Sequence, residues 1–437
     1  MVKRGLFIAI AVFAAVFVFS ACARKVEKLP VVREPEEKEK NNMELESMSL
    51  TKTTTQSVCI DYVIESYRNI QKFAYDLFAQ HIDSENPVLS PISAYLALSM
   101  AGCGADGTTK EEFYNVLGND LLPLSDDMMN RFSIAGDMLN LSVANSAWLD
   151  DEFIVNDTWI GTVKSLMDAE VFQEDLSTEQ TMNKVNSWIN DKTNGLIDTM
   201  LSQPLTQQTR LALFNTVYFK GKWELPFEPQ NTHSEVFHLQ KEQENEKQVE
   251  MMNLYLTKLE YLSNDFMEGV LLPYQKNDEN NNLFAFIALK PTKENDIREV
   301  YQKLTDKVIS DILVNRQTET VNLKLPKFEI TFDKKLNESL MNIGLVECFN
   351  EKKANFDQLG KTSYNDTLYI DLVRQKAKII VDEEGTEAAA ATEVLMMDRG
   401  AIMTNPKELY FNEPFIYIIM DMETEVPLFL GILDNPN

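Results

Sequence analysis

Val381-Asp382-Glu383-Glu384-Gly385-Thr386-Glu387-Ala388-Ala389-Ala390-Ala391-Thr392-Glu393 is the stretch on which the fold turns. By propensity alone it is a helix capped by Thr386, because alanine is the best helix former. Its C-terminal flank argues the other way. Residues 394–403 (VLMMDRGAIM) hold Arg399-Gly400 in a mixed apolar run without a clean helical face. Asn405-Pro406 then breaks the chain ahead of further strand-like runs. On this segment alone, helix and extended loop both stand.

Outward from it, apolar runs mark strands. Residues 210–219 (RLALFNTVYF) are apolar almost throughout, the pattern of a strand buried on both faces. Asn215 sits in its middle and must find hydrogen-bond partners, since an unpaired buried amide costs about 1–3 kcal/mol. Residues 283–289, 321–325, 376–381, 415–420 and 426–433 read as further strands. Helical spacing over 61–81 links Val63, Ile64, Tyr67, Ile70, Phe73, Ala74, Leu77 and Phe78. A second helix begins after Leu89-Ser90-Pro91-Ile92-Ser93, with Ser90 as its cap and Pro91 as its first residue. Residues 179–193, 297–304 and 335–343 are helical in pattern. No repeat and no internal boundary appear, so the expectation is one interleaved α+β domain from about residue 58 to 437.

The 437 residues carry 41 Lys+Arg against 68 Asp+Glu, a formal charge of −27. Such a surface repels phosphate backbones and heparin-like polyanions, so neither nucleic acid nor a polyanion is an expected partner. Four cysteines, Cys22, Cys59, Cys103 and Cys348, are too few for a disulfide scaffold and show no CxxC spacing. The last three read as free, partly buried thiols. His81, His233 and His238 read as surface or loop residues; no metal site and no cofactor is expected. No GxSxG, P-loop or HExxH motif occurs.

Residues 1–21 have the form of an export signal: Lys3 and Arg4, then an apolar run over 6–19 that is too short to span a bilayer. Ser20-Ala21-Cys22 follows, resembling a bacterial lipoprotein processing site with Phe19 where leucine is usual. Lipidation of Cys22 would tether the chain to a membrane, at the bacterial outer membrane or cell surface, with release as an extracellular protein as the alternative. Ordinary cleavage with Cys22 incidental is the other reading. Residues 22–57 read as a disordered spacer. Residues 23–57 hold seven basic and seven acidic residues, and the leader holds Lys3 and Arg4. The domain from about Val58 then keeps 32 basic and 61 acidic residues, a charge of −29.

Six separated motifs, in order, closely resemble the serpin family over residues 60–437. They are Leu89-Ser90-Pro91-Ile92-Ser93, Asn215-Thr216-Val217-Tyr218-Phe219-Lys220-Gly221-Lys222-Trp223, Leu325-Pro326-Lys327-Phe328, the hinge from Glu383 to Thr392, Phe411-Asn412-Glu413-Pro414-Phe415, and Pro427-Leu428-Phe429-Leu430-Gly431. The resemblance implies about nine helices, a five-stranded central sheet and two smaller sheets. It implies an exposed reactive-centre loop over roughly residues 383–406 and a suicide-substrate mechanism. A target protease forms an acyl-enzyme on the loop, the cut loop inserts into the central sheet, and the protease is carried away and distorted. The implied protein is a monomeric inhibitor, not an enzyme.

Hinge composition suits that mechanism. In a strand, alternate side chains face opposite ways. If Thr386 points into the sheet core, so do Ala388, Ala390 and Thr392, while Glu387, Ala389, Ala391 and Glu393 face outward. The inward set is small and uncharged; an inward charge would cost several kcal/mol to bury.

Sixteen residues on from Glu383 is Arg399, which places the implied scissile bond at Arg399–Gly400. Arginine there suits trypsin-like enzymes or Arg-specific cysteine proteases. A register slip to Met396 or Met397 would suit elastase- or chymotrypsin-like enzymes. The resemblance assigns Ser90, Ser93 and Asn215 to the shutter under the sheet centre, with Gln375 where the family usually has histidine. It assigns Trp223 to the breach, where insertion begins. Simple core packing is the plainer reading of Trp223. A non-inhibitory serpin acting as a binding or structural protein, and more remotely a Ser/His/Asp hydrolase, are the competing readings.

Overall fold

The computed structural model describes residues 67–239, 246–276, 283–292, 296–362, 368–386 and 405–436. Cys22, Cys59, Glu387, Ala388, Ala389, Ala390, Ala391, Thr392, Met396, Met397, Arg399 and Gly400 lie outside the described residues, as do the leader and spacer.

Helix α1 (Arg68–Ala79) buries Ile70, Phe73, Ala74, Leu77 and Phe78 along one face. Strand β1 (Val88–Leu89) leads through Ser90 into α2 (Pro91–Gly102), in which every residue is buried. Helices α3 (Gly107–Leu117) and α4 (Leu121–Arg131) precede strands β2 (Leu139–Asp150) and β3 (Phe153–Val155). Then come α5 (Asp157–Met167), β4 (Glu170–Glu174), α6 (Glu179–Lys192), β5 (Leu211–Lys222) and β6 (His233–His238). Strands β7 (Glu246–Ser263), β8 (Met267–Pro273) and β9 (Phe284–Pro291) lead to α7 (Ile297–Tyr301) and α8 (Asp306–Val314). After β10 (Gln317–Pro326), β11 (Phe328–Lys335) and α9 (Asn337–Asn342) come β12 (Gly360–Thr362), β13 (Leu372–Val381) and β14 (Gly385–Thr386). Strands β15 (Lys407–Tyr410), β16 (Phe415–Asp421) and β17 (Val426–Leu433) close the chain.

The central sheet runs β11-β13-β14-β5-β2-β4. Five of these are the expected strands; the sixth, β14, is a two-residue piece of the hinge. Two further sheets accompany it, as expected. A nine-stranded sheet runs β1-β17-β16-β9-β8-β7-β10-β15 with β6 on β7, and β12 pairs β3 alone. The larger is joined by β7: its 18 residues pair β6 at one end and β8 at the other, so two groups of strands share one ladder.

Both faces of the central sheet are covered, which explains the apolar run at β5. Ala144, Trp148, Ala212 and Phe214 pack on Val185, Trp188 and Ile189 of α6. Leu141, Val143, Leu213, Val217 and Phe219 face the main core with α2.

Two local expectations are corrected. Ser90 occupies the cap position of α2, but its side chain makes no capping bond: its hydroxyl is buried without a partner, while its main chain bonds the Gln375 amide. His81 is buried, not a surface histidine, at 7% exposure. Its Nε2 lies 3.0 Å from the Ser339 hydroxyl on α9 and its ring meets Phe332 of β11 edge-on. Burial, with Lys334 nearby, lowers its pKa to about 4. His233 and His238 are exposed.

Candidate functional site

The seam between β13 and β5 is the unusual feature of the central sheet. These parallel neighbours pair at one end, Leu372 with Ala212 and Val373 with Leu213. At the other end β14 sits between them: Thr386 pairs with Val381 on one side and with Gly221 on the other, and Gly385 pairs with Lys222. Along residues 374–380 and 214–220 no ladder joins the two strands.

The hinge end is tied by several independent groups. The Trp223 amide donates to the Glu384 carbonyl and the Phe227 amide to the Glu383 carbonyl, both at 2.8 Å. The Trp223 indole N–H donates to the Asp382 carbonyl at 2.9 Å. Asp382 in turn accepts from the amides of Glu384 (2.9 Å) and Gly385 (3.2 Å), which sets the tight turn. Glu383 pairs with Lys327 at 2.8 Å and accepts from the Thr232 hydroxyl at 2.9 Å. Burial works against its charge, but Lys327 and Thr232 together hold its carboxyl below the usual range. Glu384 keeps one carboxylate oxygen buried without a hydrogen-bond partner.

Thr386 is buried at 2% exposure, and its hydroxyl is 2.6 Å from that of Tyr274. Tyr274 stacks on Trp223 with ring centroids 4.8 Å apart and planes 14° off parallel. Glycine is required at Gly385 by close approach: a Cβ there would lie 2.0 Å from the Gly221 carbonyl oxygen.

Beneath the middle of the seam, Ser90, Ser93, Asn215 and Gln375 come together, all buried. The Ser93 hydroxyl donates to Asn215 Oδ1, and the Asn215 amide donates to Asn145 Oδ1 on β2. Asn145 donates onward to the Met167 carbonyl at 2.9 Å. Gln375 makes no bond to Asn215. It donates from Nε2 to the Ser90 carbonyl at 2.8 Å and accepts on Oε1 from the Ser90 amide at 2.9 Å.

Asn145, Tyr274, Thr232 and Lys327 complete these contacts and were not legible as partners in the sequence. Asn145 lies in LNLSVANSAWLD, which carries the same signal as β5, one asparagine in an apolar strand. Cys103 and Cys348 are free; burial pushes the Cys103 thiol up to about 12 and raises Cys348 as well. Among the described residues no cluster suited to a metal ion occurs.

A family model described as Serpin (serine protease inhibitor) matches residues 68–436. Iripin-1 of Ixodes ricinus is 32% identical over 362 residues, covering 80% of this chain and 89% of that protein. A serpin-like protein of Thermococcus kodakarensis is 32% identical over 380 residues, covering 84% of this chain and 85% of that one. The native-state crystal structure of tengpin, a thermophilic serpin, superposes with a TM-score of 0.77 at 29% identity, over 94% of this chain and 98% of that one.

Proposed function

The chain belongs to the serpin family, whose members are for the most part protease inhibitors, and on that premise we propose that it traps trypsin-like serine endopeptidases as a suicide substrate. The observation that carries this reading is the seam, entered at one end by Gly385 and Thr386 and without a ladder beyond them. A strand continuing from Thr386 in the same register meets Phe219 and Ile379 at Ala388, and Val217 and Ala377 at Ala390. It meets Asn215 and Gln375 at Thr392. Each of these is on the core-facing side, where Thr386 itself is buried. Small uncharged residues at all three positions fit that path.

Cleavage at Arg399–Gly400 would release the strand for insertion, with the acyl-enzyme still attached at Arg399. Arginine before the bond suits a specificity pocket that carries a carboxylate. Export by residues 1–21 and a lipid on Cys22 would present the inhibitor at a membrane, with residues 23–57 as its spacer; the sequence pattern supports this.

Mixing the purified full chain with trypsin tests the reading. A covalent complex that survives SDS, with the new N-terminus of the released peptide at Gly400, is the expected result. Complete loop cleavage without any complex overturns inhibition, and a new N-terminus after Met396 or Met397 moves the scissile bond.

A further inference from the structure

Residues 106–200 hold 18 acidic residues against five basic ones, a net −13, about half of the −27 of the whole chain. They build α3 to α6 and β2 to β4, the part of the fold that ends at β4, an edge strand of the central sheet. Within it, α6 and the face of β4 beneath it border an open groove of about 900 Å³. Two periods make its walls. Glu170, Phe172 and Glu174 alternate along β4 and so share one face. Glu179, Trp188 and Asp191 recur along one side of α6. Phe172 is half-buried and stacks on Trp148 with ring centroids 4.1 Å apart, giving the groove an aromatic floor under an acidic rim.

We propose that this groove docks an arginine-bearing, extended segment of a partner protein. The proposal stands apart from the insertion reading and does not need it.

The chain's own Lys192 shows how a cation is held there. Its ammonium is 2.8 Å from Glu170 and 6.0 Å from the centroid of the Trp188 ring. The Trp188 indole N–H donates to the same carboxylate at 2.9 Å. Lys184 pairs with Glu174 in the same way, without a ring. Glu179 and Asp191, near the two ends of α6, are exposed and take part in none of the described ion pairs. Twelve residues of helix separate them, about 18 Å, which an extended segment of roughly five or six residues spans. A guanidinium satisfies both features of the groove, because it stacks on a ring and pairs with a carboxylate through a planar fork. An ammonium offers only a point charge. An apolar segment would strip water from the rim carboxylates without replacing it, and an acidic one would be repelled.

The test is calorimetric titration of the full chain at low salt with a blocked five-residue peptide of alternating arginine and glycine, beside its lysine counterpart. One-to-one binding is expected, weaker for the lysine peptide by roughly threefold or more. Glu179→Gln with Asp191→Asn should weaken it roughly tenfold. Asp151→Asn with Asp198→Asn removes two charges from the same part of the fold, away from the groove, and should change it by less than about twofold. Lys192→Gln should tighten it severalfold, because Glu170 and the Trp188 ring are then free for the incoming guanidinium; a lysine that served only packing would not do this. Every replaced side chain is exposed, so an unchanged Tm is the check on folding.

No binding, equal affinity for the lysine peptide, equal losses in the two paired variants, or a Lys192→Gln that fails to tighten each overturn the docking site. Tighter binding in Arg24→Gln with Arg33→Gln would give the groove to the chain's own spacer. Dimers of the full chain that Glu179→Gln with Asp191→Asn dissolves would give it to a second copy. Either result overturns an outside partner, and the yield of the trypsin complex stays the separate measure of inhibition.

Discussion

Glu383 and Thr386, three residues apart, hold the hinge through different partners. Glu383 is anchored by Lys327 and Thr232, and the buried Thr386 by Tyr274. Thr386→Arg should leave folding and loop cleavage intact but cut the SDS-stable trypsin complex to roughly a tenth or less, because a guanidinium on the core side has no partner and costs several kcal/mol to bury. Complex yield against total cleavage measures it, and an undiminished yield would remove Thr386 from the inward path.

His81 makes a different kind of prediction. Its folded pKa of about 4 lies below the ordinary 6.5, so the unfolded chain binds its proton first. Stability from this group is complete above about 6.5 and declines as pH falls toward 4, by on the order of 3 kcal/mol in all. His81→Gln should flatten that decline, read as the change in Tm between pH 7 and pH 4.5 relative to the wild type.

Such residues differ in how much the sequence told of them. Asn215 was legible because one amide in an apolar strand demands a partner. His81 was not, because its burial comes from α9 and β11, more than 240 residues downstream.

The hinge is where element-scale reasoning met its limit. Its alanines favour helix locally, yet Gly385 and Thr386 are strand, since Val381, Gly221 and Lys222 offer them ladders from distant parts of the chain. Propensity is a weak prior against such pairing. Strands β5, β16 and β17 were readable because burial on both faces leaves a continuous apolar run. Strand β7 was not read, because its exposure changes side along its length (Tyr255 and Leu256 are exposed), with a register shift in its ladder to β10. Gly385→Ala tests the hinge as an element. Its Cβ would clash with the Gly221 carbonyl, so β14 should leave the seam and the Trp223 amide, bonded to Glu384, should exchange faster. The molar ratio of inhibitor to trypsin needed for full inhibition should rise severalfold; an unchanged ratio would mean that the seated hinge does not matter to insertion.

Across the whole molecule, the insertion proposed above would make the open seam the difference between the described state and a more stable one. About 15 inserted residues making on the order of 15 strand bonds would gain about 10 kcal/mol before packing is counted. On that proposal the described state is held by a barrier, and its lifetime is a matter of rate. Nicking the loop near residue 399 should raise Tm by on the order of 10 °C or more. Calorimetry of intact and nicked protein measures it, and equal Tm values would mean that no strand has entered. The sequence carried the fold at this scale through six separated motifs, while the joining of two groups of strands into one nine-stranded sheet depends on β7 and could not be read from any single segment.

Cys103 caps the far end of α2, the helix to which both strands are tied, and its thiol is almost wholly protonated at neutral pH. A maleimide or iodoacetamide should therefore react slowly there, and faster in molecules where that end of the helix has come loose. The chain thus carries its own stopwatch: alkylation at this single sulfur, followed by mass spectrometry, times the helix's release without any label having to be engineered in.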